Sequence, residues 1–190
     1  MVAEGQKVAG PERPTMPSGG GANFVSPETV ALYGVLTALT AAITYATVIP
    51  FPPTRGYFNL GEAMVFFSAL TFGWRAGAIC GGVGSAIADL LAGFGMFAPV
   101  TLVAKGTEGL VAGAIGRLNG GKPWAYAVGI TCGGACMITT YFLAEWLLLG
   151  FGLGPALAEI PTNIAQVAIG GTVGSLLSYS VKLAMPSLGK

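Results

Sequence analysis

Between Val30 and Leu183 the chain is a succession of apolar stretches, most of them about the length of a membrane crossing and each ended by proline, glycine or a charged residue. Backbone groups inside such stretches find no water in a bilayer, and helices satisfy them internally. Of the 190 residues, 53% are hydrophobic and 9% charged. An ordinary soluble domain is roughly 25% charged, so a water-soluble globule is excluded. A spanning helix needs about 20 apolar residues, and the roughly 160 residues after Pro27 supply six or seven at most. The sequence predicts an all-α integral membrane protein, a compact bundle of six transmembrane helices.

Residues 1–27, rich in Gly, Pro and Ser, contain no apolar core of a signal peptide and are expected to form a disordered cytoplasmic tail. Residues 28–190 are then one six-helix domain. The first helix starts at Ser26-Pro27-Glu28, where serine caps, proline suits the first helical position and glutamate complements the dipole. It ends near Ile49, and Pro50, Pro52 and Pro53 open a loop over 51–58. A second, short helix is expected over 59–72, a tight turn at Trp74 and Arg75, and further helices over 76–91, 100–115 and 124–149. A Gly-rich loop reaches Pro155, and the last helix is placed over 161–183.

Positive charge orients these spans. With the tail in the cytoplasm, Lys7, Arg13, Arg75, Arg117, Lys122, Lys182 and Lys190 all fall inside, Arg55 alone falls outside, and Lys105 lies within a helix, which accounts for the nine Lys and Arg residues. Both termini are therefore expected in the cytoplasm and the chain in the cell membrane. Depth along each helix, about 1.5 Å per residue, then places the polar residues. Asn59 and Glu62 open the second helix from outside, Asp89 closes the third, and Lys105 and Glu108 lie about 8 to 12 Å into the fourth. Tyr141, Glu145 and Trp146 stand near the outer end of the fifth, and Asn163 and Gln166 begin the sixth. The inner half is almost purely Gly, Ala, Val, Ile, Leu and Cys.

A pore wants polar lining at every depth and a proton relay wants ionisable groups strung across the membrane, whereas one outer cup reads as a binding site for a solute. Taken singly, Lys105 and Glu108 at i, i+3 are also a plain helix-face pair, and terminal Asn, Glu and Trp commonly sit at the interface. The four acids Glu62, Asp89, Glu108 and Glu145 set against Lys105 suit a neutral or cationic polar heterocycle, on which Tyr57, Tyr141 or Trp146 can stack. Net charge of +1 without a basic block argues against nucleic acid as a partner. With no histidine and no paired CxxC motifs, zinc chemistry and a Ser/His/Asp triad lack their ingredients, and no cofactor is expected. No GxxxxGK[ST] loop occurs, so active transport requires a separate ATPase or an ion gradient. A stand-alone secondary transporter or small channel would move solute in proteoliposomes by itself. A membrane-embedded enzyme using Asp89, Glu108 and Glu145 would turn over a bound solute.

Gly34, Ala38, Ala42 and Ala46 recur at four-residue spacing on the first helix, a stripe that admits another helix closely, from within the bundle or from a partner. Gly77/Gly81, Gly129/Gly133 and Gly170/Gly174 share that spacing and are expected to make intrachain contacts.

The NLGE start at Asn59, the GSAIADLLAG and APVTLVAKGTEGLVAG segments and the later IPTNIAQ run resemble the substrate-binding S components of energy-coupling factor (ECF) transporters, above all those for thiamine precursors and pyridoxine-like vitamins. These segments belong to a likeness covering about two thirds of the chain. The resemblance implies a six-helix fold that binds a vitamin or vitamin precursor on the outer side and docks on a transmembrane T protein and two ABC-type ATPases. By the same likeness Ala38 and Ala42, with Gly34 beside them, meet the T protein, the loop over 51–58 is a lid, and the subunit topples to deliver its cargo. The long tail has no counterpart in that pattern.

The orientation is tested by single-cysteine reporters. Those at Lys122 and Lys190 should react only from the cytoplasm and one at Gly152 only from outside; the opposite labelling would overturn the placement of the cup as well.

Overall fold

The structure, a computed structural model, describes residues 26–52, 56–118 and 121–185. The expected tail over 1–25, with Lys7 and Arg13, together with Arg55 and Lys190, lies outside the described residues. Six helices follow in order: α1 (Pro27–Ala46), α2 (Glu62–Phe72), α3 (Trp74–Ala92), α4 (Ala98–Gly116), α5 (Pro123–Leu148) and α6 (Leu153–Ala184). Of these, α1, α3, α5 and α6 are long and apolar enough to cross a membrane. Ser26 caps α1 as its position suggests, its hydroxyl accepting from the Thr29 amide at 3.3 Å.

The local differences from expectation have identifiable causes. The segment after α1 is a small antiparallel hairpin rather than an irregular loop: β1 (Ile49–Phe51) pairs with β2 (Gly56–Phe58) in the register Ile49 to Phe58, Pro50 to Tyr57 and Phe51 to Gly56. Pro50 is tolerated because a two-stranded ribbon has only edge strands. Trp74 and Arg75 form the first turn of α3 rather than a loop, since Gly73 alone, at φ 97°, makes the break. The last helix begins at Leu153, not at Pro161, which sits inside α6. Proline there removes one backbone donor early in a 32-residue helix, and the turns before it still form. Both α3 and α5 contain a π-helical turn, at Gly77–Gly81 and Ala144–Leu148.

The shortest helix is the most enclosed. From Glu62 to Thr71, α2 is buried at every position except Phe67, with Val65, Phe66, Ala69 and Leu70 fully so. Phe66, Ala69 and Leu70 pack with Ala112 of α4 and Tyr126 of α5; Met64 packs with Leu36 of α1 and Cys80 of α3. An 11-residue helix is too short to cross a bilayer alone, but surrounded by longer ones it forms the axis of the bundle.

Small residues allow this density. A Cβ on Gly77 would lie 2.5 Å from the Gly109 carbonyl oxygen, so α3 and α4 touch backbone to backbone. Gly129 and Gly133 of α5 press in the same way on the Ala112 and Glu108 carbonyls of α4, and Gly174 of α6 on that of Ala63. The i, i+4 glycine pairs are thus intrachain contacts. Gly34, Ala38 and Ala42 are different: all three are exposed on α1 and line a shallow apolar groove with Ile87 and Leu91 of α3. Nothing within the described fold covers that stripe.

Gly77→Leu should therefore lower the unfolding free energy of the detergent-solubilised protein by about 1 to 3 kcal/mol or more, as overpacking does. Gly34→Leu, with nothing within 4 Å of an added Cβ, should leave the thermal unfolding of the isolated chain unchanged.

Candidate binding site

At the end of the bundle that carries the hairpin, α2, α4 and α6 bring opposite charges together in the interior. The Lys105 ammonium of α4 donates to Glu62 Oε2 of α2, and to Glu108 Oε2 one turn further along α4 at 3.3 Å. The same Glu62 oxygen accepts from Gln166 Nε2 at 3.2 Å, and Gln166 Oε1 accepts from the Asn59 amide at 3.0 Å. Gly170, one turn beyond Gln166, leaves the space that the Glu62 Cβ and Cγ occupy. Glu62 and Glu108 are essentially inaccessible to solvent, and Lys105 is 3% exposed. Such charges are sustained only by one another and by their hydrogen bonds, since an unpaired ion in this setting is costly.

Above this cluster lies a cavity of about 30 Å³. Its walls are Thr44 of α1, Ser85 and Asp89 of α3, Thr101 and Lys105 of α4, Tyr141 of α5, and Glu159, Asn163 and Gln166 of α6, with Asn59 at its edge and Phe97 beside it. The hairpin closes it: Tyr57 Oη donates to Asp89 Oδ1 at 2.5 Å, and the Tyr57 ring rests 4.7 Å from that of Phe94. Burial, and then the neighbouring Asp89 carboxylate, hold the Tyr57 phenol above the usual tyrosine range, so it remains a donor at any physiological pH. Tyr141 donates to Thr101 Oγ1 at 2.9 Å and lays its ring 5.9 Å from the Lys105 ammonium. Several acceptors are left over. Asp89 Oδ2, Thr44 Oγ1, Glu62 Oε1 and Glu108 Oε1 are buried without a hydrogen-bond partner among the described residues.

Of the ten residues read from the sequence, Asn59, Asp89, Lys105, Tyr141, Asn163 and Gln166 line the cavity, while Glu62 and Glu108 stand directly beneath it as partners of Lys105. Glu145 is fully buried but behind the wall, close enough to Glu159 for the two carboxyl groups to sense each other. Trp146 does not join the site. It is 41% exposed on the outside of α5, its ring 5.8 Å from that of Phe142, since neighbours along a helix lie about 100° apart and Glu145, four residues after Tyr141, takes the inward face.

Sequence reasoning missed Glu159, Thr44, Ser85 and Thr101. Glu159 precedes Pro161 and looked like loop. The hydroxyls resemble helix-interior Ser and Thr that merely bond their own backbone. A signal for two of them existed: Thr101 is four residues before Lys105 and seven before Glu108, hence on the same face, and Thr40, Thr44 and Thr47 stripe the side of α1 opposite its small residues.

A multi-pass membrane bundle with one enclosed polar chamber at one end, and helix-packing glycines elsewhere, is the architecture of a membrane transporter's solute-binding subunit. The chain belongs to the family of S components of ECF-type riboflavin transporters, which matches it over residues 24–183. It is 38% identical over 146 residues to an uncharacterized protein in gap 3′region of Pyrococcus woesei, covering 74% of this chain and 95% of that one. It is also 29% identical over 150 residues to the thiamine precursor transporter HmpT of Lactococcus lactis subsp. cremoris (strain MG1363), covering 78% of this chain and 84% of the relative. The protein is a substrate-binding component of a vitamin-type transporter and not an enzyme.

Lys105→Met should destabilise the fold by about 3 to 5 kcal/mol, because it leaves Glu62 and Glu108 buried and uncompensated. Adding Glu62→Gln should restore part of that loss, which thermal unfolding of both variants will read.

Proposed function

We propose that this chain captures a small, single-ring polar vitamin or vitamin precursor, of the thiamine-precursor or pyridoxine-like kind, in the chamber between Asp89, Lys105, Asn163 and Gln166. In this reading the chamber faces the outer side, both termini are cytoplasmic, and the subunit works with a T transmembrane protein and two ABC-type ATPases. The carrying observation is the set of buried, unpartnered acceptors at one enclosed end of an otherwise apolar bundle, Asp89 Oδ2 foremost. Acceptors left unpaired cost stability unless a donor-bearing solute meets them.

Size favours a small ligand. A cavity of about 30 Å³ is the volume of one water, and pockets for drug-sized ligands run to about 300 Å³ and more. Any solute thus enters by displacing the hairpin and easing the walls apart. The family description names riboflavin, a three-ring molecule, whereas the Lactococcus relative is named for a thiamine precursor. A single aminated ring demands the smaller displacement and offers donors to the acids Asp89 and Glu159. Glu62 and Glu108 act behind the first contacts, by fixing Lys105. The exposed stripe of Gly34, Ala38 and Ala42 then serves the T protein, since no helix among the described residues covers it.

Mass spectrometry of protein purified without washing would identify the solute. With that solute, Asn163→Ala and Gln166→Ala should each weaken binding by roughly 5- to 150-fold, the loss of one hydrogen bond in a desolvated site. Calorimetry with thermal stability followed in parallel checks this, and unchanged affinity in both variants would remove α6 from the site. Ala38→Trp or Ala42→Trp should abolish co-purification with the T protein and ATPases while solute binding stays intact. Retention of the complex by both would reject the stripe as the docking surface.

A further inference from the structure

Away from the chamber, the outward faces of α5 and α6 leave a groove of about 540 Å³ that begins at Gly121 and Tyr126 and ends at Thr131, Val167 and Ala168. The two helices meet at its floor, where Gly171 backs onto Ile130 and Tyr126 Oη lies 3.3 Å from Ser178 Oγ. From Pro123, where α5 begins, to Thr131 a helix rises about 12 Å, within one half of a hydrocarbon core about 30 Å thick. The groove therefore runs through one leaflet, the one opposite the chamber. Its Ser and Thr hydroxyls turn to their own backbone, Thr131 Oγ1 donating to the Ala127 carbonyl at 2.9 Å, Thr172 Oγ1 to that of Ala168 at 2.7 Å and Ser175 Oγ to that of Thr172 at 2.9 Å, so the threonines present methyl groups.

One end is charged. Lys182 Nζ donates to the Leu70 carbonyl at 2.9 Å and to Tyr126 Oη at 2.6 Å, which uses two of its three donors. It stands at the mouth of the groove, where a Cβ on Gly121 would come within 3.4 Å of it. Lys122 is exposed beside the same mouth, and among the described residues neither lysine is in an ion pair. An apolar channel one leaflet deep, with two uncompensated ammonium groups at the interface, matches a lipid bearing negative charge on its headgroup. Basic pockets between membrane helices recognise such headgroups.

We propose that the α5–α6 groove binds one anionic phospholipid, an acyl chain lying along Ala127, Thr131, Ala168 and Thr172 and the phosphate held by Lys182 and Lys122. This site is separate from the solute chamber and does not depend on its occupant.

The test is native mass spectrometry of the full chain in detergent, titrated with dioleoyl phosphatidylglycerol or dioleoyl phosphatidylcholine. One phosphatidylglycerol per chain should be retained, with a preference over phosphatidylcholine on the order of fivefold for each lysine engaged. Ala168→Trp, which fills the groove, should remove both lipids. Lys182→Met should reduce the preference but also breaks the bond to Leu70, so Lys122→Ala is the cleaner variant: about fivefold less preference with unchanged thermal unfolding. Equal retention of the two lipids would overturn the proposal, as would phosphatidylglycerol binding that survives Ala168→Trp. A dimer lost on Ala168→Trp, with no lipid adduct in the parent, would assign the groove to a second copy of the chain instead.

Discussion

A lysine ammonium held between two carboxylates in the interior of a membrane bundle is the interaction on which the remainder of this structure depends. Lys105 cannot be placed in hydrocarbon alone, and neither can Glu62 or Glu108. Their mutual satisfaction joins α4 to the first turn of α2, and Gln166 extends the join to α6. An 11-residue helix is thereby fixed at its N-terminal end while its apolar residues are clasped by longer neighbours. Because α2 starts with a buried turn, the chain between α1 and α2 must turn back within the rim of the bundle, and the hairpin covers the resulting recess.

How far the sequence disclosed this follows from which forces act locally. Caps, prolines and apolar length are local, so the six helices and the Ser26 start were legible, as was the brevity of α2. The polar cup was legible too, since charge at depth is rare and convergence is the cheapest way to satisfy it. What was hidden depends on geometry that spacing does not encode. Trp146 is the exception, because it stands one position past Glu145, about 100° round the helix, and the regular period itself separates the two. Pro161 was read as a start because proline favours first turns, yet the helix runs through it and carries Glu159 to the chamber. The small hydroxyls were passed over because their ordinary role in membrane helices is local.

The two faces of α1 show how one helix serves both ends of this design. Thr40 and Thr44 turn inward, Thr44 to the chamber wall, while Gly34, Ala38 and Ala42 turn outward, exposed, with no helix among the described residues laid over them. Elsewhere the same four-residue spacing of small residues is consumed by contacts within the chain, as where Gly77 meets Gly109. Spacing alone does not separate the two uses; the presence or absence of a covering helix does.

Closure of the chamber rests on few contacts. The hairpin is two three-residue strands, held to the bundle by the Tyr57 bond to Asp89, by ring contact with Phe94 and, just past β2, by the Asn59 amide on Gln166. A hydrogen bond to a charged acceptor is worth about 1.5 to 3 kcal/mol, so the Tyr57 bond is one modest share of what holds the hairpin over the Lys105 cluster. Asp89 has two oxygens, one engaged by Tyr57 and the other unpartnered among the described residues. On the proposed reading, a solute donor that takes the free oxygen leaves the lid bond in place. Binding and closure then draw on one carboxylate without competing for it, and the energy of capture favours the closed hairpin rather than opposing it.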